Sequence, residues 1–258
     1  MLKITSSSNN MYKELKKIAQ SSSQRRKMNI YIVEGITIVQ EAIMSSQSIL
    51  RLVVNDQGLD KLQKLDPPSN IEVIILSDSL FNSVSDTVNS QGIIALVNIK
   101  EYDLDCINFK RALIIDQLQD PGNLGTLIRS ADAFNFDLVI SLKGSCDIYN
   151  PKTVRSTMGS LFHIPIVKDI SSVEAYEFLI TKKAKIYSTS LDESSIEIDK
   201  IDIIMPFAIV IGNESKGVSK FWDDNSDHNI IIPMKGKAES LNAGVAGSIV
   251  MYQFSCLD

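Results

Sequence analysis

Short apolar runs rich in β-branched residues alternate with segments of helical periodicity along almost the whole chain. Residues 30–33, 52–54, 73–76 and 93–97 read as strands. Between them Ile36, Val39, Ala42 and Ile43 recur at helical spacing, 59–65 reads as a short helix and 78–84 as a helix with a polar start. A second series of strands follows at 111–116, 138–141, 164–167, 185–188, 208–211 and 230–232. Helical stretches lie at 124–134, 153–158 and 173–180, and a last helix runs over about 240–254. This alternation predicts an α/β fold with a mainly parallel sheet and helices on both faces, because parallel strands need long crossovers and helices supply them. Residues 100–110 have mixed charge and poor periodicity. The chain therefore divides into a smaller domain over 1–99, a linker over 100–110 and a larger domain over 111–258.

A length of 258 residues with 44% apolar and 22% charged side chains supports two modest cores and excludes collagen-like, disordered and disulfide-scaffold classes. Cys106, Cys146 and Cys256 are widely spaced with no C-x-x-C, which fits a reducing compartment. His163 and His228 are too few and too far apart for a typical zinc site, so no metal is expected. Residues 1–10 lack the basic start and apolar core of a signal peptide, and no apolar run approaches the ~20 residues of a membrane span. A cytoplasmic protein is expected. The net charge of −5 hides an asymmetry: residues 1–100 carry 11 Lys/Arg against 9 Asp/Glu, and residues 101–258 carry 15 against 22. The first 30 residues hold 7 basic side chains and one acid, Glu14. Lys13, Lys16, Lys17, Arg25, Arg26 and Lys27 make up most of that patch. A basic arm on an acidic body points to contact with a polyanion such as RNA; a solvated helix face is the alternative.

Three clusters carry the candidate chemistry. The first is Asp120-Pro121-Gly122-Asn123-Leu124-Gly125-Thr126-Leu127-Ile128-Arg129, directly after a strand. Asn123 reads as the cap of the following helix, and Arg129 as a clamp for a phosphate or a developing negative charge. Its glycines are spaced G-x-x-G, so neither G-x-G-x-x-G nor a P-loop is present. The second cluster runs from an apolar strand into Gly212-Asn213-Glu214, with Gly217 beyond. Gly212 permits close backbone approach to a ligand or an unusual φ, and Glu214 stands where a strand's carboxyl end presents binding groups. The third is Ile232-Pro233-Met234 followed by Ser240-Leu241-Asn242, with small residues Ala243, Gly244, Ala246 and Gly247 beyond. Pro233 ends its strand and Ser240 reads as the cap of the last helix. A weaker candidate is Arg155, at the start of a helix opened by Pro151, as a phosphate or RNA contact. Trp222 reads as a packing or partner-interface residue rather than one that stacks on a base.

Taken in order, Asn123-x-Gly125-x-x-x-Arg129, Gly212-Asn213-Glu214, and Ile232-Pro233-Met234 with Ser240-Leu241-Asn242 resemble the SpoU (TrmH) family of RNA ribose 2′-O-methyltransferases, in the SPOUT superfamily. The resemblance covers roughly residues 110–256. A fainter likeness, carried by Val33-Glu34-Gly35 and Gln91-Gly92-Ile93, links the first domain to that family's substrate-binding domain. The resemblance implies a SPOUT-type parallel sheet with a deep trefoil knot, plus a smaller ribosomal-protein-like α/β domain at the N-terminus. It implies S-adenosylmethionine as cofactor, held by Gly212, Asn213, Ile232, Met234 and Leu241 largely through backbone groups, and a homodimer formed through the knot region and last helix. Arg129 is then the key catalytic residue, with Asn123, Ser240 and Asn242 positioning ribose or cofactor and Glu214 ordering the knot loop or a neighbouring arginine. A guanidinium is a very weak base, so electrostatic stabilisation of the reacting oxygen is favoured over proton abstraction.

Many relatives carry a bulkier residue directly after the asparagine that Asn242 matches. The extra glycine in Ala243-Gly244-Val245-Ala246-Gly247 is expected to loosen the helix by up to ~1 kcal/mol and to bear on interface packing rather than on motif side chains. Ribosomal RNA is the favoured substrate because of the separate first domain, and transfer RNA is the alternative. A non-catalytic RNA-binding ribosome-assembly factor on the same fold is disfavoured by the intact motif set. A dinucleotide-dependent oxidoreductase is disfavoured by the missing glycine fingerprint.

Overall fold

In the computed structural model of the chain, which describes residues 2–256 apart from 191, 193 and 194, the apolar runs pair into two separate sheets. The first unit starts with β1 (Leu2–Ile4), α1 (Asn10–Gln20) and α2 (Ser22–Met28). It continues through β2 (Ile30–Glu34), α3 (Ile36–Met44), β3 (Ile49–Val54), α4 (Asp56–Leu65), β4 (Glu72–Leu76), α5 (Asp78–Asn82) and β5 (Ile93–Asn98). The strand order is β1-β4-β3-β5-β2, with β1, β4 and β3 parallel and β5 antiparallel to both its neighbours. The basic start is not a free arm. Tyr12, Leu15 and Ile18 of α1 form a buried stripe against Ile30, Ile32 and Phe81, while Lys13 and Lys17 face solvent. Asn9 caps α1 by accepting from the Met11 and Tyr12 N–H groups. Three apolar residues set among lysines make a narrow stripe, so charge dominates the reading of this segment from sequence.

The second unit holds β6 (Arg111–Ile115), α6 (Pro121–Ala133) and β7 (Leu138–Leu142). The next helix, α7 (Pro151–Thr157), belongs instead to the first unit, which comprises Met1–Lys100 and Tyr149–Phe162. This corrects the expected division, which placed 149–162 in the larger domain. The cause is burial: α7 lies on β2, Thr153, Val154 and Thr157 are buried, and the Tyr149 ring sits 4.7 Å from that of Tyr31. The second unit then resumes with β8 (Ile166–Ile170), α8 (Ser172–Thr181), β9 (Lys185–Thr189), β10 (Ile196–Glu197), β11 (Phe207–Ile211), α9 (Lys220–Asn225), β12 (His228–Ile231) and α10 (Ala243–Ser255).

All seven strands of the second sheet are parallel, in the order β10-β12-β9-β11-β6-β7-β8. β6, β7 and β11 are buried at every position, which explains why they are apolar throughout except for Arg111 in β6 and Ser141 in β7. β11 begins directly after Pro206, and β12 ends before Pro233, because proline cannot donate to a ladder. Residues expected as a linker are part of this core: Tyr102, Leu104, Ile107 and Phe109 pack against it. Trp222 is fully buried, its ring 5.3 Å from Phe221 and 6.5 Å from Tyr176. Among the described residues no helix is long and apolar enough to cross a membrane.

Candidate active site

The register of the central strands brings the motif loops together. β6 and β11 are neighbours with Ile115 beside Ile211, so the loops that leave them start side by side. After β6 the chain reaches Asp120, whose side chain accepts from the Asn123 N–H at 2.9 Å and caps α6, with Pro121 in the first turn. Asp120 therefore takes the capping role expected of Asn123. That frees the Asn123 amide, which is nearly buried, for longer-range bonds.

Those bonds tie the three clusters into one network. Asn123 Nδ2 donates to Glu214 Oε1 at 3.1 Å, and Asn123 Oδ1 accepts from Asn242 Nδ2 at 2.8 Å. Glu214 Oε1 also accepts from the Asp120 N–H at 3.0 Å, and Oε2 from the Gln119 N–H at 3.2 Å. Glu214 thus orders a loop rather than an arginine. Asn242 Oδ1 accepts from the Val245 N–H and caps α10, a role expected of Ser240, which stands exposed before the helix. Partial burial raises the Glu214 pKa, but the N–H donors of Asp120, Glu214 itself and Gln119, with the Asn123 amide, outweigh it and leave the carboxyl below its ordinary value. Nearby, burial pushes the Cys146 thiol up to about 12, and the charges of Glu214 and Asp120 add to the rise.

A second set of bonds shapes the loop after β11. Asn213 Nδ2 donates to the Gln117 carbonyl at 2.9 Å, and Asn213 Oδ1 accepts from the N–H groups of Ser215 and Lys216. Asn213 and Gly217 exchange both backbone hydrogen bonds, at 2.8 and 2.9 Å. A Cβ on Gly212 would lie 2.2 Å from Gly217 C. The close approach at Gly212 is made by the backbone of its own loop, where the sequence predicts a ligand. Three residues of this frame escaped the sequence reading. Asp116, almost fully buried, accepts from the Ser219 N–H at 2.6 Å. Gln117 is left-handed at φ 57°, and Gln119 bonds the Gln117 and Gly144 carbonyls. Only their place after a strand marked them.

Beside this frame lies a cavity of about 500 Å³, within the ~300–1,000 Å³ of small-molecule sites. Gly212, Asn213, Glu214, Ile232, Met234, Ser240 and Leu241 all line it. Arg129 does not. It is exposed on α6, and six residues at ~100° each turn it about 120° around the helix from Asn123. No hydrogen bond or ion pair engages its guanidinium among the described residues. Gly244 is buried with its Cα against the network: a Cβ there would meet Asn242 Oδ1 at 3.2 Å and Asn123 Oδ1 at 3.3 Å. The glycine thus bears on motif side chains, contrary to expectation, because α10 crosses α6 at this point. No group of three or more metal-ligating side chains is found among the described residues.

In the first unit the structure divides the expected basic contacts. Lys13, Lys17, Arg26 and Lys27 are exposed and Lys16 is half-buried. Arg25 is a correction: it is 4% exposed, and its Nη1 donates to the Ile18 and Ala19 carbonyls at 2.8 and 3.2 Å. Its charge satisfies the end of α1 instead of facing a ligand. Arg155 is half-exposed and pairs with Asp86 at 2.6 Å within the same unit.

A parallel α/β sheet with hydrogen-bonded loops at its carboxyl edge and a cavity beside them is the arrangement in which α/β proteins bind their ligands. Residues 110–252 match the model of the SpoU rRNA Methylase family, and the chain belongs to that family. Residues 9–95 match the model of an MRM3-like substrate binding domain. The chain is 35% identical over 253 residues, covering 98% of both chains, to the 23S rRNA (guanosine(2553)-2′-O)-methyltransferase RlmP of Bacillus subtilis (strain 168). It is 28% identical to a 23S rRNA (uridine(2479)-2′-O)-methyltransferase of Streptomyces viridochromogenes, covering 96% of this chain and 90% of the other. Among solved structures, the AdoMet-bound rRNA methyltransferase from Sinorhizobium meliloti is similar with a TM-score of 0.86 and 25% identity, covering 97% of this chain and 96% of that one.

Proposed function

We propose that this protein transfers a methyl group from S-adenosylmethionine to a ribose 2′-hydroxyl of ribosomal RNA. The observation that carries the reading is the Glu214–Asn123–Asn242 network, which joins all three motif clusters beside a cavity of cofactor size. The chain's likeness to two enzymes named as 23S rRNA 2′-O-methyltransferases supports the substrate. The cavity fits the cofactor: Gly212 and Leu241 line its wall, Ile232 and Met234 add apolar side chains, and Asn213, bonded within its own frame, holds that wall in shape. When bound, that cofactor supplies an activated methyl group on a sulfonium.

The residues of the chain do the remaining work. Glu214 fixes the loops from β6 and β11 to each other, so that the cavity wall is preorganised. Asn123 and Asn242, each held by the other, position ribose or cofactor with Ser240. Arg129, whose guanidinium is uncommitted, holds the neighbouring phosphate or the developing alkoxide. The hydroxyl proton leaves as the oxygen is alkylated. The reading includes a deep trefoil knot through the loops 212–218 and 232–242, supported by the packing of α10 on α6 and β11. It also includes a homodimer formed through the knot region and α10, where Val245, Ile249 and Tyr252 are exposed at i, i+4 and i+7. The first unit serves as the ribosomal-protein-like RNA-binding domain, and the protein works in the cytoplasm.

The test is transfer of labelled methyl from S-adenosylmethionine to ribosomal RNA that lacks the modification, with wild type beside Arg129→Ala. Label at a ribose 2′-oxygen is expected, reduced about 10²–10³-fold in the variant. Label confined to transfer RNA moves the substrate; no label in either RNA sinks the reading.

A further inference from the structure

The cofactor cavity is acidic. Asp192, Glu214, Asp223 and Glu239 line it, with Lys216 as the cation among its described lining residues. Among the described residues no lysine or arginine forms an ion pair with Glu214, Asp223 or Glu239. These carboxylates differ in what holds them. Glu214 turns its oxygens toward Gln119, Asp120 and Asn123. Asp223, in the first turn of α9, ends a relay that starts inside the sheet. Ser188 of β9, fully buried, donates its hydroxyl to Asn229 Oδ1 on the neighbouring strand β12. That bond fixes which way the Asn229 amide points, so its Nδ2 is presented to Asp223 Oδ1 at 3.1 Å. The relay holds a negative charge at the cavity wall.

We infer that Asp223 is a specificity residue that favours a cationic occupant of this cavity over a neutral one, and so favours the methyl donor over its own demethylated product. The inference rests on the cofactor reading above. In the transfer, an O–CH₃ bond forms at the ribose and the S⁺–CH₃ bond breaks. The sulfur keeps the bonding pair and becomes a neutral thioether, and the hydroxyl proton goes to solvent. The donor carries one more positive charge than the product, and otherwise the two differ by a methyl group. Shape discriminates weakly over one methyl group. A fixed carboxylate in a partly enclosed cavity acts on the charge that the reaction removes, so it weakens the hold on product once transfer is complete.

The experiment measures dissociation constants of the full chain for S-adenosylmethionine and S-adenosylhomocysteine by calorimetry, in wild type, Asp223→Asn, Asp223→Glu and Asp224→Asn. Asn at 223 removes the charge and keeps an acceptor for Asn229. Asp224 is the adjacent acid, paired with Lys220 at 3.3 Å and outside the cavity lining. Asp223→Asn is expected to weaken the donor about five- to tenfold and to leave the product within about twofold. Asp223→Glu keeps the wild-type ratio, and Asp224→Asn changes neither constant. Equal weakening of both ligands in Asp223→Asn makes the carboxylate a partner of some group common to the two, and overturns the inference. An unchanged ratio does the same, as does an equal shift in Asp224→Asn. Wild-type protein that binds neither ligand overturns the cofactor reading itself, and this inference with it.

Discussion

Glu214 works as one carboxylate surrounded by donors from another loop. Two backbone N–H groups and one amide reach it from residues 119–123, and its pKa lies below the ordinary 4.5. A carboxyl with a lowered folded pKa contributes its stabilisation fully above the unfolded value and loses it as the pH falls through the folded value. The stability that Glu214 lends the second unit is therefore expected to hold from neutral pH down to about 4.5 and to fall below it. Glu214→Gln sets an amide against the Gln119 N–H, donor to donor, and is expected to cost about 1 kcal/mol at pH 7 after allowance for exposure. The pH profile of its thermal stability is also expected to lose that part of the acid limb. A profile in Glu214→Gln that matches wild type would remove Glu214 from this role. At this scale the sequence was informative about residue type and position but not about partners. Glu214, Asn123 and Asn242 were legible as motif residues, whereas the capping duties fell to Asp120 and Asn242. An Asp before proline and an Asn before a small residue are good caps too, and only backbone geometry chooses among adjacent candidates.

Among the elements, α10 depends on residues that lack side chains. A Cβ on Gly247 would lie 2.3 Å from Leu127 Cδ2 of α6 and 3.3 Å from Ile211 Cγ1 of β11. Leu127 is fully buried and has little room to move. Gly247→Ala is expected to destabilise the second unit by about 1–3 kcal/mol, a loss of roughly 2–4 °C in Tm for each kcal/mol. Thermal unfolding checks this; an unchanged Tm would mean that Leu127 repacks at no cost. The stripe of small residues was visible in the sequence as a sign of close packing. Its partner was not, and the structure shows Gly247 facing α6 and β11 while Gly244 faces Asn123. The strands were the most legible elements, because burial on both faces leaves an unbroken apolar run. β1, at three residues, and β10, at two, are too short to show a period.

For the whole molecule, the charge asymmetry predicts separate work for the two units. Lys13 and Lys17 stand exposed on α1, whose opposite face is buried. Lys13→Glu with Lys17→Glu is expected to weaken RNA binding several-fold and to reduce its salt dependence, while leaving the affinity for S-adenosylmethionine unchanged. Binding titrations over a range of salt concentrations check both halves; parallel loss of RNA and cofactor binding would end the division of labour. Arg25 belongs to no such surface, since its guanidinium caps α1 from within.

Local chemistry was enough to expect an α/β chain with a parallel sheet, two cores and three motif clusters at strand ends. Strand periodicity, turn residues and caps act over a few positions and leave their mark in the sequence. What joins those clusters acts over much longer separations: Glu214 lies 91 residues from Asn123, and Asn242 lies 119 from it. Helix α7 likewise follows β7 in the chain but packs on the first unit's β2, where Thr153, Val154 and Thr157 are buried. Such pairings depend on which strands lie side by side and in what register. No local pattern encodes that, and the folded chain settles it by burying apolar surface and satisfying each polar group it encloses.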